Sequence, residues 1–286
     1  MKLATIRTAG ATAAVRIDGD TAVETGHRDL GALLADPDWK RLAAAAAGTA
    51  HAVGSLDYAP VVPRPGKIIC VGLNYRNHIL EMGRELPQYP TLFAKYPEAL
   101  IGPYDEIVLP AASEAVDWEA ELAVVIGAPV RHAGKEAAAA AIAGYSVLND
   151  VTARDWQYRS PMWLQGKTFE ATTPFGPVLV TPDEADPAAG LALSGAVDGE
   201  TVQRADTADL VFDAATLVSY ISTILTLQPG DVIATGTPGG VGHARRPQRY
   251  LAEGRTLTTA VAGIGELRNV CRAEKVDEKV EEPTDG

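Results

Sequence analysis

The stretch VDWEAELAVVIG (residues 116–127) places two acidic residues at the head of an uninterrupted apolar run. Residues 122–126 are all Leu, Ala, Val or Ile, and Gly127 follows them, which is typical of a buried strand. Glu119 and Glu121 therefore face the same side of the strand, with Cα atoms about 7 Å apart. Paired acids on a strand usually form a solvated face. Beside a buried strand, however, two like charges repel and lose hydration unless a cation compensates them.

Asp150 ends a second mostly apolar stretch, residues 145–149. A lone aspartate in this position is most often the N-cap of a following helix, here predicted over residues 152–158. The other interpretation is a third oxygen ligand beside Glu119 and Glu121. Three carboxylates without cysteine or clustered histidine favour a hard cation, Mg²⁺ first and Mn²⁺ second.

His78 and Glu81 are three residues apart in a predicted helix over residues 74–82, so they are neighbours on one helical face. A carboxylate beside an imidazole orients it and raises its basicity, which suits a base that activates water. Spacing alone favours the simpler interpretation, an exposed pair of side chains on the helix surface.

Two loops add candidate polar groups. Lys167 lies in a loop between Trp163 and Phe169, where a lysine is usually solvated. The segment TGTPGGVG (residues 235–242) follows a predicted strand and offers backbone N–H groups and two hydroxyls that could hold a carboxylate. It lacks the Gly-Lys-Ser/Thr of a phosphate-binding loop, and a plain glycine-rich turn is the alternative.

Composition excludes several classes of protein. The 286 residues include 25 Lys+Arg and 37 Asp+Glu, a net charge of −12, which repels nucleic acid and anionic membranes. The chain start shows no signal peptide, and no apolar stretch is long enough to cross a bilayer. Two cysteines without metal spacing are typical of buried thiols in a reducing compartment, so we expect a cytoplasmic protein.

The chain divides into three parts by its composition and its predicted elements. Residues 1–62 predict a small α+β domain of short strands and one helix, with Asp36 as its N-cap and a proline-rich connector after it. Residues 63–272 predict many strands and few helices, hence a mixed, mostly β catalytic domain, with one long helix over residues 212–227 entered from Asp209. Residues 273–286 are strongly acidic and predict a disordered tail.

These pieces, in this order, resemble the fumarylacetoacetate hydrolase family over about residues 65–270. The matching stretches are VGLNYRNHILEMG (71–83), VDWEAELAVVIG (116–127), GYSVLNDVTARDWQ (144–157), QGKTFEATTPFGP (165–177), LQPGDVIATGTPGGVG (227–242) and GIGELRN (263–269). The resemblance implies a rolled β-sandwich, a small variable N-terminal domain and a homodimer. Asn74 stands where the long eukaryotic hydrolases place an additional acid, which argues against fumarylacetoacetate itself as substrate.

The resemblance also implies a role for each candidate residue. It places the metal, Mg²⁺ or Mn²⁺, on three carboxylates and the catalytic dyad on a segment that can order as a lid. It places a lysine and a threonine near the substrate, and two further polar residues along the substrate pocket. The residues are Glu119, Glu121 and Asp150 for the metal, His78, Glu81 and Lys167 for catalysis, and Arg154, Gln157, Gly236 and Thr237 for substrate binding.

The function implied first is metal-dependent hydrolysis of a carbon–carbon bond in a 2,4-dioxo acid of the acylpyruvate type. The metal would stabilise the negative charge of the leaving enolate, and His78 with Glu81 would activate the water. A decarboxylase of oxaloacetate or a related 2-oxo acid, and a hydratase or isomerase of an unsaturated 2-oxo acid, share the same enolate. A non-catalytic dimer that binds small acids is the alternative from another class.

Overall fold

The computed structural model describes residues 1–81 and 83–276, which are dominated by strands. The helices of this part of the chain are all short except the last: α1 (Leu30–Leu34), α2 (Trp39–Ala44), α3 (Arg76–Glu81), α4 (Lys135–Ala140), α5 (Arg154–Gln157), α6 (Leu164–Lys167) and α7 (Ala214–Ile224). The strands are β1 (Lys2–Thr8), β2 (Ala11–Asp18), β3 (Thr21–Glu24), β4 (Ala50–Ala52), β5 (Asp57–Tyr58), β6 (Ile68–Gly72), β7 (Thr91–Lys95), β8 (Leu100–Ile101), β9 (Ile107–Leu109), β10 (Val116–Asp117), β11 (Ala120–Ile126), β12 (Ile142–Asn149), β13 (Thr152–Ala153), β14 (Thr173–Val180), β15 (Ala192–Val197), β16 (Glu200–Asp206), β17 (Val232–Ala234), β18 (Thr256–Val261) and β19 (Gly265–Ala273).

The strands form one large sheet and one smaller sheet. The large sheet has the order β4-β3-β2-β1-β14-β12-β11-β17-β6-β7, with β5 on β1 and β8 on β14. The smaller one has the order β16-β15-β18-β19-β9, and β10 pairs with β13 separately. Most pairs are antiparallel, but β17 runs parallel to β6, β8 to β14 and β9 to β19. The predicted mixed, mostly β fold is confirmed.

The strand that residues 116–127 predict is buried throughout, as are β12, β14 and β17. Every residue of β11 is buried, and it lies between β12 and β17 in the large sheet. Burying a Val, Leu or Ile side chain contributes roughly 1.5–3 kcal/mol, so a run of five apolar residues fixes the strand strongly in the core. The smaller sheet contacts the large sheet beside β11, where Asn149 Nδ2 at the end of β12 donates to Thr259 Oγ1 of β18 at 2.8 Å.

The first strands join the large sheet. In β1, Lys2 pairs with Val180 and Leu3 with Leu179 of β14. The division of the chain after residue 62 stays a prediction. The predicted helix start at Asp36 is wrong, because α2 begins at Trp39 and the Asp36 carboxylate accepts instead from the backbone N–H of Asp38. Such a local side-chain bond competes with a helix cap.

The long helix α7 is shorter than predicted. Its N-cap is Asp213, whose side chain accepts from Thr216 N, so the helix does not begin from Asp209. At the other end of the chain, β19 continues to Ala273, and Glu274 N donates to Leu109 O at 2.9 Å. The predicted disordered tail lies outside the described residues from residue 277 on. Within the described ranges, no helix combines the length and apolarity that a membrane span requires.

Candidate metal centre and adjoining cavity

The three predicted metal ligands meet where two strands end. Ala120 pairs with Asn149 in the antiparallel β11–β12 ladder, so the head of β11 lies beside the tail of β12. Asp150 N donates to Glu119 O at 2.9 Å and holds the two chain segments together. As a result, one carboxylate oxygen each from Glu119, Glu121 and Asp150 lies within 4.8 Å of the other two, and all three residues are buried. An all-oxygen donor set of this kind fits a hard divalent cation.

Two buried lysines balance part of this negative charge. Lys167 Nζ donates to Glu119 Oε2 at 2.8 Å and to Asp150 Oδ2 at 2.7 Å. Lys95 Nζ donates to Asp150 Oδ1 at 2.6 Å and to Val151 O at 3.1 Å. Burial alone would lower the pKa of Lys167, but Asp150 and Glu119 raise it above the ordinary value, so this ammonium keeps its charge. The expectation that Lys167 is a solvated loop residue is therefore wrong.

The common interpretation of Asp150 as a helix N-cap is also wrong. Its carboxylate is taken by the two lysines, and β13, not a helix, begins at Thr152. Burial would raise the pKa of Asp150, but Lys167 and Lys95 together bring it below the usual value. The Asp150 carboxylate is thus held in its charged form.

Glu121 is the carboxylate with the least compensation. Burial raises its pKa, and the charges of Asp150 and Glu119 raise it further. Gly236 N opposes this shift by donating to Glu121 Oε2 at 2.8 Å. A divalent cation within the cluster would compensate the same repulsion, so the residues present fit the metal that the sequence predicts.

The glycine-rich loop is held against β11. The Thr235 hydroxyl donates to Leu122 O at 2.9 Å, and the Thr237 hydroxyl donates to Ala120 O at 3.1 Å. Gly236 has a φ of 103°, and a Cβ there would lie 3.0 Å from the Cβ of Asn74. The loop therefore positions a carboxylate with its backbone, while substrate binding by Gly236 and Thr237 stays a prediction.

Arg154 connects the cluster to a fourth acid. Its Nη1 lies 2.7 Å from Glu119 Oε1 and donates to Gln157 Oε1 at 2.9 Å, and its Nε donates to Asp117 Oδ2 at 2.8 Å. Asp117 is fully buried and also accepts from the backbone of Gly242 at 2.7 Å. The guanidinium is thus fixed between two carboxylates.

The predicted dyad lies on α3 at the side of this cluster. A Cβ added at Gly239 would lie 3.0 Å from His78 Nδ1 and 3.7 Å from Glu81 Oε2, so both side chains face the glycine-rich loop. Burial lowers the pKa of His78, although Glu81 and Glu119 oppose the shift. The imidazole is therefore neutral near pH 7 and able to accept a proton.

One cavity of about 360 Å³ lies between His78 on α3, Lys167 and the Glu119 side of the carboxylate cluster. Charged, polar and aromatic side chains share its wall, as in many sites for small polar molecules. The residues that line the cavity are Val71, Gly72, Leu73, His78, Arg84, Phe93, Glu119, Arg154, Gln157, Tyr158, Trp163, Lys167, Thr237, Val241, His243 and Ala244. Glu81 borders a neighbouring cavity, to which His78 also contributes.

Sequence reasoning missed two residues of this site. Lys95 ends β7, and its strand partner Ile68 lies in β6, far from Asp150 in sequence. In the sequence, Lys95 is a lysine at the end of a short apolar stretch, and many surface strands share that feature. Asp117 stands two residues before Glu119, at the same spacing that separates Glu119 from Glu121, and extending this alternation by one step would have found it.

A comparison with protein families assigns the class. Residues 67–272, well over half of the chain, match the model of the fumarylacetoacetate (FAA) hydrolase C-terminal domain. The chain therefore belongs to the fumarylacetoacetate hydrolase family and is an enzyme, as the sequence resemblance predicts.

Individual relatives are similar over most of the chain. Human oxaloacetate tautomerase FAHD2A, mitochondrial, is 44% identical over 213 residues, which cover 74% of this chain and 68% of that protein. The crystal structure of 5-carboxymethyl-2-hydroxymuconate delta-isomerase from Mycobacterium smegmatis has a TM-score of 0.81 at 34% identity and covers 96% of this chain and 100% of its own. Maleylpyruvate hydrolase from Sphingobium sp. SYK-6, solved with manganese(II) and pyruvate, has a TM-score of 0.79 at 28% identity, with the same coverage. Members similar to this chain thus act on small organic acids.

Proposed function

We propose that the protein is a divalent-metal-dependent enzyme that forms and reprotonates the enolate of a small 2-oxo acid. Keto–enol interconversion of oxaloacetate is the first reaction to test. The observation that carries the proposal is the convergence of Glu119, Glu121 and Asp150 beside Lys167 at a cavity of suitable size. Relatives named as oxaloacetate tautomerases, 44% identical, support this choice of substrate.

The proposed metal is Mg²⁺, with Mn²⁺ as the alternative, on Glu119, Glu121 and Asp150. Hard oxygen donors favour both ions. When bound, the cation would supply Lewis-acid stabilisation of the negative charge that develops on the oxygens of the 2-oxo acid.

The chain's own residues would bind the substrate and move its proton. Lys167 brings a permanent positive charge to the cavity and would bind the anionic end of the 2-oxo acid. His78 is neutral and lines the same cavity, so it would take a proton from C3 of the keto form and return it to the enolate oxygen. One proton thus moves from C3 to the oxygen, and the double bond moves from C=O to C=C. No atom is gained or lost, so the reaction is a tautomerisation.

Hydrolysis of an acylpyruvate is the second candidate. Its support is the presence of Glu81 beside the same Gly239 that His78 faces, since a carboxylate near the imidazole favours water activation. In that reaction His78 takes a proton from water, the hydroxide adds to C4, and the C3–C4 bond breaks toward an enolate of pyruvate. Decarboxylation of oxaloacetate leaves the same enolate and needs no water.

An assay of three substrates tests the proposal. Oxaloacetate enol decay, oxaloacetate decarboxylation and acetylpyruvate cleavage are followed with Mg²⁺ and with excess EDTA. We expect fast enol decay that EDTA abolishes. Acetylpyruvate cleavage as the dominant activity would replace the first candidate by the second, and equal rates in Mg²⁺ and EDTA would contradict both.

We also propose a homodimer, on the strength of the family resemblance alone. Light scattering of the purified chain checks it, and a molar mass near 30.0 kDa at micromolar concentration would contradict it. The cytoplasmic location stays a prediction.

A further inference from the structure

His243 is a wall residue of the substrate cavity that neither the proposed proton transfer nor the metal centre uses. Asp117 fixes its position, because the Asp117 carboxylate accepts from His243 N at 3.0 Å and from Arg154 Nε at 2.8 Å. Arg154 in turn contacts Glu119. His243 is therefore connected to the carboxylate cluster through two intervening charged side chains and lies at another part of the cavity wall.

The neighbours of the His243 ring define which nitrogen carries the proton. Gln248 Nε2 lies 3.2 Å from His243 O. Because a carbonyl oxygen can only accept a hydrogen bond, the atom of the Gln248 amide that faces it is the nitrogen. The same Nε2 lies 3.3 Å from His243 Nδ1, and Tyr250 OH lies 2.8 Å from that nitrogen. An amide nitrogen can only donate, so Nδ1 is the acceptor and the neutral ring carries its hydrogen on Nε2. Burial, and then the charge of Arg154, lower the pKa of His243, which keeps the ring neutral near pH 7.

The ring is also held in orientation. The centroids of the His243 and Tyr158 rings are 5.2 Å apart at an interplanar angle of 33°, and Tyr158 lines the same cavity. The His243 ring packs on Tyr158, and its Nδ1 accepts hydrogen bonds. Its Nε2–H has no partner in the described part of the chain. A fixed donor in a substrate cavity selects ligands that carry an acceptor at that point.

We propose that His243 is a specificity residue whose Nε2–H donates to a second carboxylate of the substrate, so that the enzyme prefers 2-oxo dicarboxylates to 2-oxo monocarboxylates. This inference rests on the proposed function, since it assumes that a 2-oxo acid binds at the carboxylate cluster. The guanidinium of Arg84 on the same cavity wall favours a dianion as well. A hydrogen bond to a charged group changes affinity by about 10-fold to 100-fold.

The test compares two stable ligands of equal chain length, 2-oxoglutarate and 2-oxopentanoate, which differ only in the distal carboxylate. Calorimetric titration of the full chain in Mg²⁺ measures both affinities for the wild type and for His243→Phe. Phenylalanine keeps the ring beside Tyr158 and removes the donor. We expect the wild type to bind 2-oxoglutarate more tightly, and His243→Phe to lose about 10-fold or more for 2-oxoglutarate and less than 2-fold for 2-oxopentanoate.

Further variants keep the test decisive if His243→Phe does not fold. His243→Gln retains a side-chain N–H and should recover part of the preference for the dicarboxylate. Tyr250→Phe removes one partner of Nδ1 and should reduce the preference without changing binding of 2-oxopentanoate. Arg246→Gln, an exposed change in the same loop, is the matched control and should behave as the wild type.

The outcomes separate the inference from the proposed function. Equal losses for both ligands in His243→Phe, or no loss for either, overturn the role of His243 while leaving the 2-oxo acid site intact. Failure of the wild type to bind either ligand in Mg²⁺ contradicts the proposed function and the inference with it.

Discussion

The floor and the wall of the cavity are built in different ways. The floor is the cluster of Glu119, Asp150 and Lys167, of which Glu119 and Lys167 line the cavity, and its members are buried and joined by charged hydrogen bonds of 2.7–2.8 Å. At the wall, His78 on α3 is only partly buried, and a Cβ added at Gly239 of the glycine-rich loop would lie 3.0 Å from its Nδ1. Strand register brings Glu119 and Asp150 of the floor together, while the short helix α6 carries Lys167 and a short helix and loops place the wall. Under the proposed function, the floor supplies charge stabilisation and the wall supplies proton transfer and substrate choice.

The largest effect is expected at the floor. Glu119→Gln removes one proposed metal ligand and leaves Lys167 and Arg154 facing a neutral amide. We expect metal-dependent turnover to fall by at least about 10³-fold and Mg²⁺ affinity to fall with it, because charge stabilisation is the main catalytic contribution proposed here. Steady-state kinetics and calorimetry measure both. Glu106→Gln, at the exposed position just before β9, is the control, and full activity of Glu119→Gln in EDTA would contradict a metal role.

A second change compares a buried and an exposed lysine in ion pairs of equal length. Lys95 and Asp150 lie 2.6 Å apart and fully buried, while Lys135 and Asp213 lie 2.6 Å apart and largely exposed. Lys95→Met leaves a buried carboxylate short of a partner, so we expect the free energy of unfolding to fall by about 3–5 kcal/mol. Lys135→Met should cost less than about 1 kcal/mol. Denaturant unfolding measures both, and equal losses would show that the floor is not held by buried charge.

At the wall, His78→Ala should reduce kcat by about 10²-fold to 10⁴-fold with little change in stability. In the proposed reaction the active form is the neutral imidazole, so we expect activity to be lost as the pH falls through the pKa of His78. Because burial lowers that pKa, the acid limb of kcat/KM should lie below the usual histidine value of 6.5. A pH–rate profile checks this. His51→Ala is the control, and an acid limb that persists unchanged in His78→Ala would remove His78 from the reaction.

The smallest effect is expected at Gly239. Alanine there adds a methyl group 3.0 Å from His78 Nδ1, so the imidazole must shift by a few tenths of an ångström. We expect a loss of a few-fold in kcat, an unchanged Mg²⁺ affinity and a change in stability below about 1 kcal/mol. Gly134→Ala, where an added Cβ meets nothing within 4 Å, is the matched control. A loss of metal affinity in Gly239→Ala would mean that floor and wall are not independent.

The same contrast decides what the sequence could predict. Residues 122–126 read as a buried strand because no polar residue interrupts them, and β11 covers them fully. Glu119 and Glu121 could be paired because they share a strand face, but Asp150 joined them only through the family resemblance, since a lone acid after a strand is more often a helix N-cap. Lys95 could not be placed, since its contact with Asp150 depends on the pairing of β7 with β6 and of β6 with β17 across the sheet.

Local chemistry misled the prediction in the first 60 residues. Asp36 before Pro37 has the composition of a helix start, yet its carboxylate bonds to Asp38 N and α2 begins at Trp39. Asp29, which precedes an apolar run without a proline, is the side chain that caps α1. Short-range propensities of this kind compete within about 1 kcal/mol, and tertiary packing decides between them.

The bond from Gly236 N to Glu121 has an evolutionary consequence. A main-chain amide supplies it, so replacing a neighbouring side chain in the loop cannot delete it. Only a change in the course of the backbone, such as loss of the left-handed conformation at Gly236, would withdraw the donor. Variation in this loop can therefore reshape what enters the cavity while the anchoring of the innermost glutamate is inherited unchanged.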